Sequence, residues 1–88
     1  MNCDDLAVLA NAVKSRSDFL NFLDELNENY RSHGDEWENN TLDRFLEAYS
    51  AFAHAIGGYY KNMHEEVDIE TITWRMAAQI LTAAKVYE

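Results

Sequence analysis

The segment His64-Glu65-Glu66-Val67-Asp68 holds the densest set of groups that could do chemistry, an imidazole followed by carboxylates. Zinc proteases place two histidines four positions apart on a helix, with a glutamate beside the first as general base. Here Asp68 takes the place of the second histidine, and neither His33 nor His54 is three or four residues from His64. We therefore predict no metal site, and a metal-dependent hydrolase around His64 ranks third among the interpretations of the chain.

Motifs for nucleophilic catalysis and phosphate binding are missing from the sequence. Cys3 is the single cysteine, and the neighbouring Asp4 and Asp5 disfavour its thiolate. There is no Gly-x-Ser-x-Gly elbow and no glycine-rich phosphate loop, and the Asp/Asn stretches lack the ligand order of a calcium loop. The sequence predicts a protein that is not an enzyme and that needs no cofactor.

Two stretches combine aromatic residues with carboxylates, which are the ingredients of a surface that binds a basic protein. One surrounds Trp37 and the other follows a tyrosine pair. The candidate partner-binding residues are Tyr59, Tyr60, Glu65, Glu66 and Asp68, with Glu36 and Glu38 as secondary candidates.

An ordinary interpretation competes with this one, in which the aromatic rings pack into the core and the acids are solvated. For Tyr59 and Tyr60 both interpretations stay open. For Trp37 we expect an inward-facing ring that fills a gap between helices while its indole N–H finds an acceptor.

The elements that must position these residues are helices. The clearest helix carries apolar residues at spacings of three and four, namely Leu42, Phe45, Leu46, Tyr49, Phe52, Ala53 and Ile56. Asn40 or Thr41 is suited to cap its N-terminus, and we expect Gly57 and Gly58 to form a left-handed stop.

Similar apolar stripes predict the other helices. A short helix follows Asp4 and Asp5, a second is capped by Ser15 or Ser17, and the last starts at Thr71 or Thr73. The predicted fold class is all-α, a small helical bundle of three main amphipathic helices plus a short N-terminal helix. Residues 1–88 form a single domain in this prediction.

The net charge of −9 comes from 16 acidic and 7 basic residues. It repels the phosphates of nucleic acids and anionic membrane surfaces, and it favours a basic protein partner. The alternative is that the acids serve solubility alone. No run approaches the about 18 apolar residues of a membrane span, and the N-terminus carries acids where a signal peptide needs bases. We therefore expect a cytoplasmic protein.

Four pieces of the chain resemble a family of small uncharacterised bacterial domains, and the resemblance covers roughly residues 17 to 88. The pieces are Phe19-Leu20-x-Phe22-Leu23-x-x-Leu26, Trp37-Glu38-Asn39-x-Thr41-Leu42-x-x-Phe45-Leu46-Glu47-Ala48, Tyr59-Tyr60, and Trp74-Arg75-x-x-Ala78-x-Ile80-Leu81-x-Ala83-Ala84-Lys85-x-Tyr87-Glu88. The resemblance implies an α-helical bacterial domain and brings no catalytic residue. In size, acidity and helical pattern the chain is also similar to immunity proteins, which neutralise cationic toxin domains.

These observations predict a non-enzymatic protein-binding domain. It would act as an immunity or antitoxin-like inhibitor that covers the active surface of a basic bacterial protein. The alternative is a structural or accessory module that forms a homodimer through the alanine-rich face of the last helix.

Overall fold

Helices provide the regular secondary structure of residues 3–87, the part of the chain that this computed structural model describes. They are α1 (Cys3–Asn11), α2 (Arg16–His33), α3 (Leu42–His54), α4 (Ile56–Asn62) and α5 (Trp74–Ala84), with a 3-10 turn (Gly34–Glu36) after α2. The predicted all-α class is confirmed. Within the described residues, no helix has the combination of length and apolar character that crossing a membrane requires.

The helix count differs from the prediction because the helix that begins at Leu42 ends before Ala55, and a further helix, α4, forms where the sequence predicts a stop. The predicted left-handed stop is wrong, since neither Gly57 nor Gly58 has a positive φ and both lie inside α4. Ile56 and Tyr60 are buried on either side of the two glycines. Their packing stabilises helical backbone at positions where a local rule predicts an end.

Two of the predicted N-caps are confirmed by hydrogen bonds. Ser15 Oγ accepts from the Asp18 N–H at 3.1 Å, and Thr73 Oγ1 accepts from the Met76 N–H at 3.0 Å. Thr41 takes the N-cap position of α3 without a side-chain cap, because its hydroxyl bonds the Asp43 carboxylate instead. That hydrogen bond is the main reason why the pKa of Asp43 lies below its usual value.

The central element is α5, which contacts α1, α2 and α3. On one side, Ala78 packs in a cluster of buried residues from α1, α2 and the turn that follows; the others are Leu6, Ala10, Val13, Phe22, Leu26 and Trp37. On the other side, Met76 and Ile80 pack with Phe52, Ile56 and Tyr60 from α3 and α4. Because α5 is buried on both of these faces, apolar residues occupy most of its circumference.

Hydrogen bonds between polar side chains link three of the helices. The Tyr60 hydroxyl on α4 donates to Gln79 Oε1 on α5, and Gln79 Nε2 donates to Asn11 Oδ1 on α1 at 2.9 Å. Gln79 has almost no exposed surface, so these two bonds compensate for the loss of water around its amide. These bonds fix the position of α4 against α5, and with it the loop that follows α4.

Candidate binding sites

The tyrosine pair at the end of α4 is divided between core and surface. Tyr60 is only 2% exposed, so its ring belongs to the core and a partner does not reach it in this structure. Tyr59 is half-buried and meets Phe52 edge to face, with ring centroids 5.1 Å apart. Burial raises the pKa of both tyrosines above the usual value, and the nearby charge of Glu65 adds to the shift at Tyr59.

The loop after α4 uses two of its candidate acids to hold its own shape. Glu65 Oε1 accepts from Arg75 Nη2 at 2.9 Å, which ties the loop to the first turn of α5. The Asp68 carboxylate accepts from the Glu70 N–H and from the Thr71 hydroxyl, both at 3.0 Å. Glu66 is exposed, and it remains available to a partner.

His64 opens this loop with a φ of 58°, a left-handed conformation that is uncommon for a residue with a side chain. Within residues 3–87, no three His, Cys, Asp or Glu side chains are grouped as a metal site would require. The structure therefore adds no support to the interpretation of this loop as a hydrolase centre.

Trp37 is buried, as predicted. Its indole Nε1 donates to Asn29 Oδ1 at 2.7 Å, and its ring lies between Tyr30 and Phe45 at centroid distances of 4.9 and 6.0 Å. The secondary candidates Glu36 and Glu38 are exposed on either side of it. The acids of this stretch are thus accessible, while its tryptophan is a structural plug.

The loop before α3 and the end of the chain meet in an arrangement that we call the C-terminal clasp. It consists of Trp37, Asn39 and Lys85 with the carbonyl groups of Ala84 and Tyr87. The Asn39 N–H donates to the Lys85 carbonyl at 2.9 Å, and Asn39 Nδ2 donates to the Ala84 and Tyr87 carbonyls at 2.9 and 2.8 Å. The Ala84 and Lys85 carbonyls are among those that a helix C-terminus leaves without intrahelical partners.

Lys85 is the unusual member of the clasp. Its side chain is buried, and its ammonium lies 5.8 Å from the centroid of the Trp37 ring. Within residues 3–87 Lys85 Nζ has no hydrogen-bond partner. The ring face provides it with a cation–π contact. Glu88, the last residue of the terminal sequence piece, lies outside the described residues.

The apolar stripe of α3 is covered along only part of its length. Phe52 is buried, whereas Leu42 is 73% and Leu46 is 55% exposed. Beside Leu42 lies a pocket of about 270 Å³, whose other walls include Tyr30 and Phe45. Among its described lining residues there is no carboxylate and no lysine, arginine or histidine. The uncovered part of the stripe is one candidate surface for a partner.

A larger cavity, which we call the α5 groove, lies beside the start of α5. Its volume is about 750 Å³, and its lining residues are Val13, Lys14, Val67, Ile72, Thr73, Trp74, Arg75 and Ala77. Val13, Ile72 and Trp74 belong to segments that the sequence predicts as amphipathic helices. The groove appears only when the loop after α4 is placed beside α1 and α5.

A family model described as "Family of unknown function (DUF7660)" matches residues 15–88. The chain belongs to this family. The DUF7660 match begins just before α2, so it takes in the C-terminal clasp and most of the α5 groove. No curated protein and no solved structure matches the chain. Membership in DUF7660 confirms the resemblance to an uncharacterised small domain and brings no activity, substrate or partner with it.

Proposed function

We propose that the chain is a non-enzymatic binding domain that docks on a basic protein and covers its active surface, as immunity and antitoxin proteins do. The observation that carries this proposal is the distribution of charge. Twelve of the fourteen acidic side chains that the structure describes are exposed. A surface of this kind attracts a basic partner from a distance and raises the rate of encounter.

The candidate contacts are fewer than the sequence suggests. Glu36, Glu38 and Glu66 are exposed, and Tyr59 presents part of its ring beside the loop. Three other candidates hold the protein itself together, namely Tyr60, Glu65 and Asp68. We therefore assign steering to the three exposed glutamates and contact area to Tyr59 and the uncovered part of the α3 stripe.

Part of the alanine-rich face that the homodimer alternative needs is used inside the chain. Ala78 and Ala84 on α5 have no exposed surface, because α5 packs on other helices of the same chain, whereas Ala83 is partly exposed. Leu42 and Leu46 on α3 offer a homo-oligomer a second apolar surface. Light scattering over a range of concentrations separates this alternative from a monomeric binder.

The experiment that tests the proposal is a pull-down of the tagged chain from a lysate of its own source, eluted with rising salt and analysed by mass spectrometry. We expect one basic protein in near-stoichiometric amount, released as salt screens the acids. Recovery of the chain alone would contradict the proposal and favour the homo-oligomeric module.

A further inference from the structure

The α5 groove joins apolar surface to positive charge in a protein that is otherwise strongly acidic. Val13, Val67 and Trp74 line it, and Ile72 at its edge is 69% exposed. Ile72 lies outside α5, so its exposure is a property of the loop that forms one wall. Exposed apolar residues that share one concave surface are typical of a binding site.

The charged groups that line the groove are both basic. Lys14 and Arg75 are two of the seven bases of the chain, and no acid is found among the described lining residues. Arg75 occupies the first turn of α5, where no acid is present. A cation is unfavourable at this position by itself, because the helix dipole already places positive charge there. An anion in the groove would be stabilised by the Arg75 cation and by the helix dipole.

One acid beside each of these two bases already accepts a hydrogen bond. Asp18 Oδ2 accepts from the Lys14 backbone N–H at 3.0 Å, and Glu65 Oε1 accepts from Arg75 Nη2. A guanidinium has five N–H donors, so one contact with Glu65 leaves others for a second carboxylate. The Arg75 guanidinium also lies 5.6 Å from the centroid of the Tyr60 ring, which helps to hold it in place.

The size of the groove favours a small molecule over a protein. Eight of the described residues line it, whereas a stable protein interface takes about 20–30 residues from each side. Its volume of about 750 Å³ falls within the range of about 300–1,000 Å³ that is usual for small-molecule sites.

We propose that the α5 groove binds a small amphiphilic carboxylate. Its apolar body packs on Val67, Ile72 and Trp74, and its carboxylate lies between Lys14 and Arg75. This site does not depend on the acidic surface that we assign to a protein partner, so either proposal can fail without the other.

The test is a titration of the full chain with octanoate, followed by ¹H–¹⁵N NMR. The two indole N–H signals report on different places, because Trp74 lines the groove and Trp37 is buried in the clasp. A Trp74→Phe variant assigns them. We expect saturable shifts at Trp74 and at the Lys14 and Ile72 amides, with little change at Trp37. Octanamide, which has the same body without the charge, should bind at least about tenfold more weakly, as expected for lost charge-assisted hydrogen bonds.

Two variants separate a specific site from general charge attraction. Lys14→Met should weaken octanoate binding about tenfold, whereas Lys61→Met, which removes an exposed cation of α4, should leave it unchanged. Equal binding of octanoate and octanamide, or equal losses in the two variants, would overturn the proposal. So would shifts at Trp74 that depend on protein concentration without ligand, because a second copy of the chain would then occupy the groove.

Discussion

Asn39 joins the loop before α3 to the end of α5 through three hydrogen bonds. Its side-chain amide supplies two of the donors, and both point at backbone carbonyls. A carboxylate of the same shape would place negative charge against those carbonyls. The clasp therefore requires an amide at this position, although the sequence around it reads as an ordinary polar loop.

The first residue-scale prediction concerns this amide. Asn39→Ala should lower the free energy of unfolding by about 1–3 kcal/mol, since two carbonyls lose their donors, and Asn39→Asp should lower it further. Urea unfolding measures both changes. Asn40→Asp is the matched control, because Asn40 is exposed and its bond from Tyr30 uses the backbone carbonyl, which the substitution keeps. An Asn39→Asp variant as stable as the parent would contradict the role of the clasp.

The second residue-scale prediction concerns Lys85. Among residues 3–87 its buried ammonium contacts a ring face and has no hydrogen-bond acceptor, and burying a charge in this way is unfavourable. Lys85→Met keeps the length of the side chain and should leave the free energy of unfolding unchanged or raise it by up to about 2 kcal/mol. Lys85→Ala, which leaves a cavity, should lower it. Thermal or urea unfolding distinguishes these results, and a large loss in the Met variant would contradict the assignment.

At the scale of elements, the sequence predicts features that depend on residues close together in the chain. Ser15 and Thr73 cap helices as expected, because a cap depends on residues within one turn. The break at Ala55 and the helical conformation of the glycines after it depend on the residues that pack against α4. The spacing of apolar residues in the sequence does not show these tertiary contacts. The same holds for Leu42, which shares a stripe with Phe52 and yet is exposed.

The candidate sites follow the same division. The burial of Trp37 could be predicted from the sequence, because a large apolar ring in a short connection between helices can be buried against both of them. The interaction of Glu65 with Arg75 and the α5 groove could not, since both bring together segments that are far apart in sequence. Lys85 and Gln79 are polar residues in the core, and the spacing of apolar residues in the sequence does not identify them as buried.

A prediction for α3 follows from its uneven burial. Phe52→Ala should lower the free energy of unfolding by about 3–5 kcal/mol, as for a buried ring. Phe45→Ala should cost less, because its ring is half-buried, and Leu46→Ala should stay within about 0.5–1 kcal/mol. Denaturant unfolding of the three variants gives the order directly. Equal costs along the helix would mean that the whole stripe is covered in solution.

At the scale of the whole molecule, charge dominates both stability and recognition. With a net charge of −9, the acidic side chains repel one another across a small surface. Added salt screens this repulsion, so it should stabilise the folded chain at neutral pH. The same excess of acids would speed the approach of a basic partner. The excess of negative charge therefore lowers the stability of the isolated domain and favours its complex with a basic protein.

The alkaline limit of stability is a further prediction at this scale. Burial raises the pKa of Tyr60 and Tyr59, so the folded chain keeps their protons where the unfolded chain loses them. This contribution is fully present below the usual tyrosine pKa of about 10 and is lost as pH rises through the higher folded values. Unfolding measured from pH 8 to 11 should show the decline, and Tyr60→Phe should reduce its slope. Tyr30→Phe, at an exposed ring, is the control.

The most direct test is the association rate of the chain with the basic protein that it captures, measured at low and high salt. A Glu36→Lys/Glu66→Lys variant should associate at least about tenfold more slowly at low salt, with a smaller change in dissociation. The control is Asp24→Lys/Glu25→Lys, which changes the net charge equally at exposed acids of α2, outside the candidate contacts. A clear difference between the two variants would support docking through Glu36 and Glu66. Equal association rates for the parent and the Glu36→Lys/Glu66→Lys variant at low salt would contradict it.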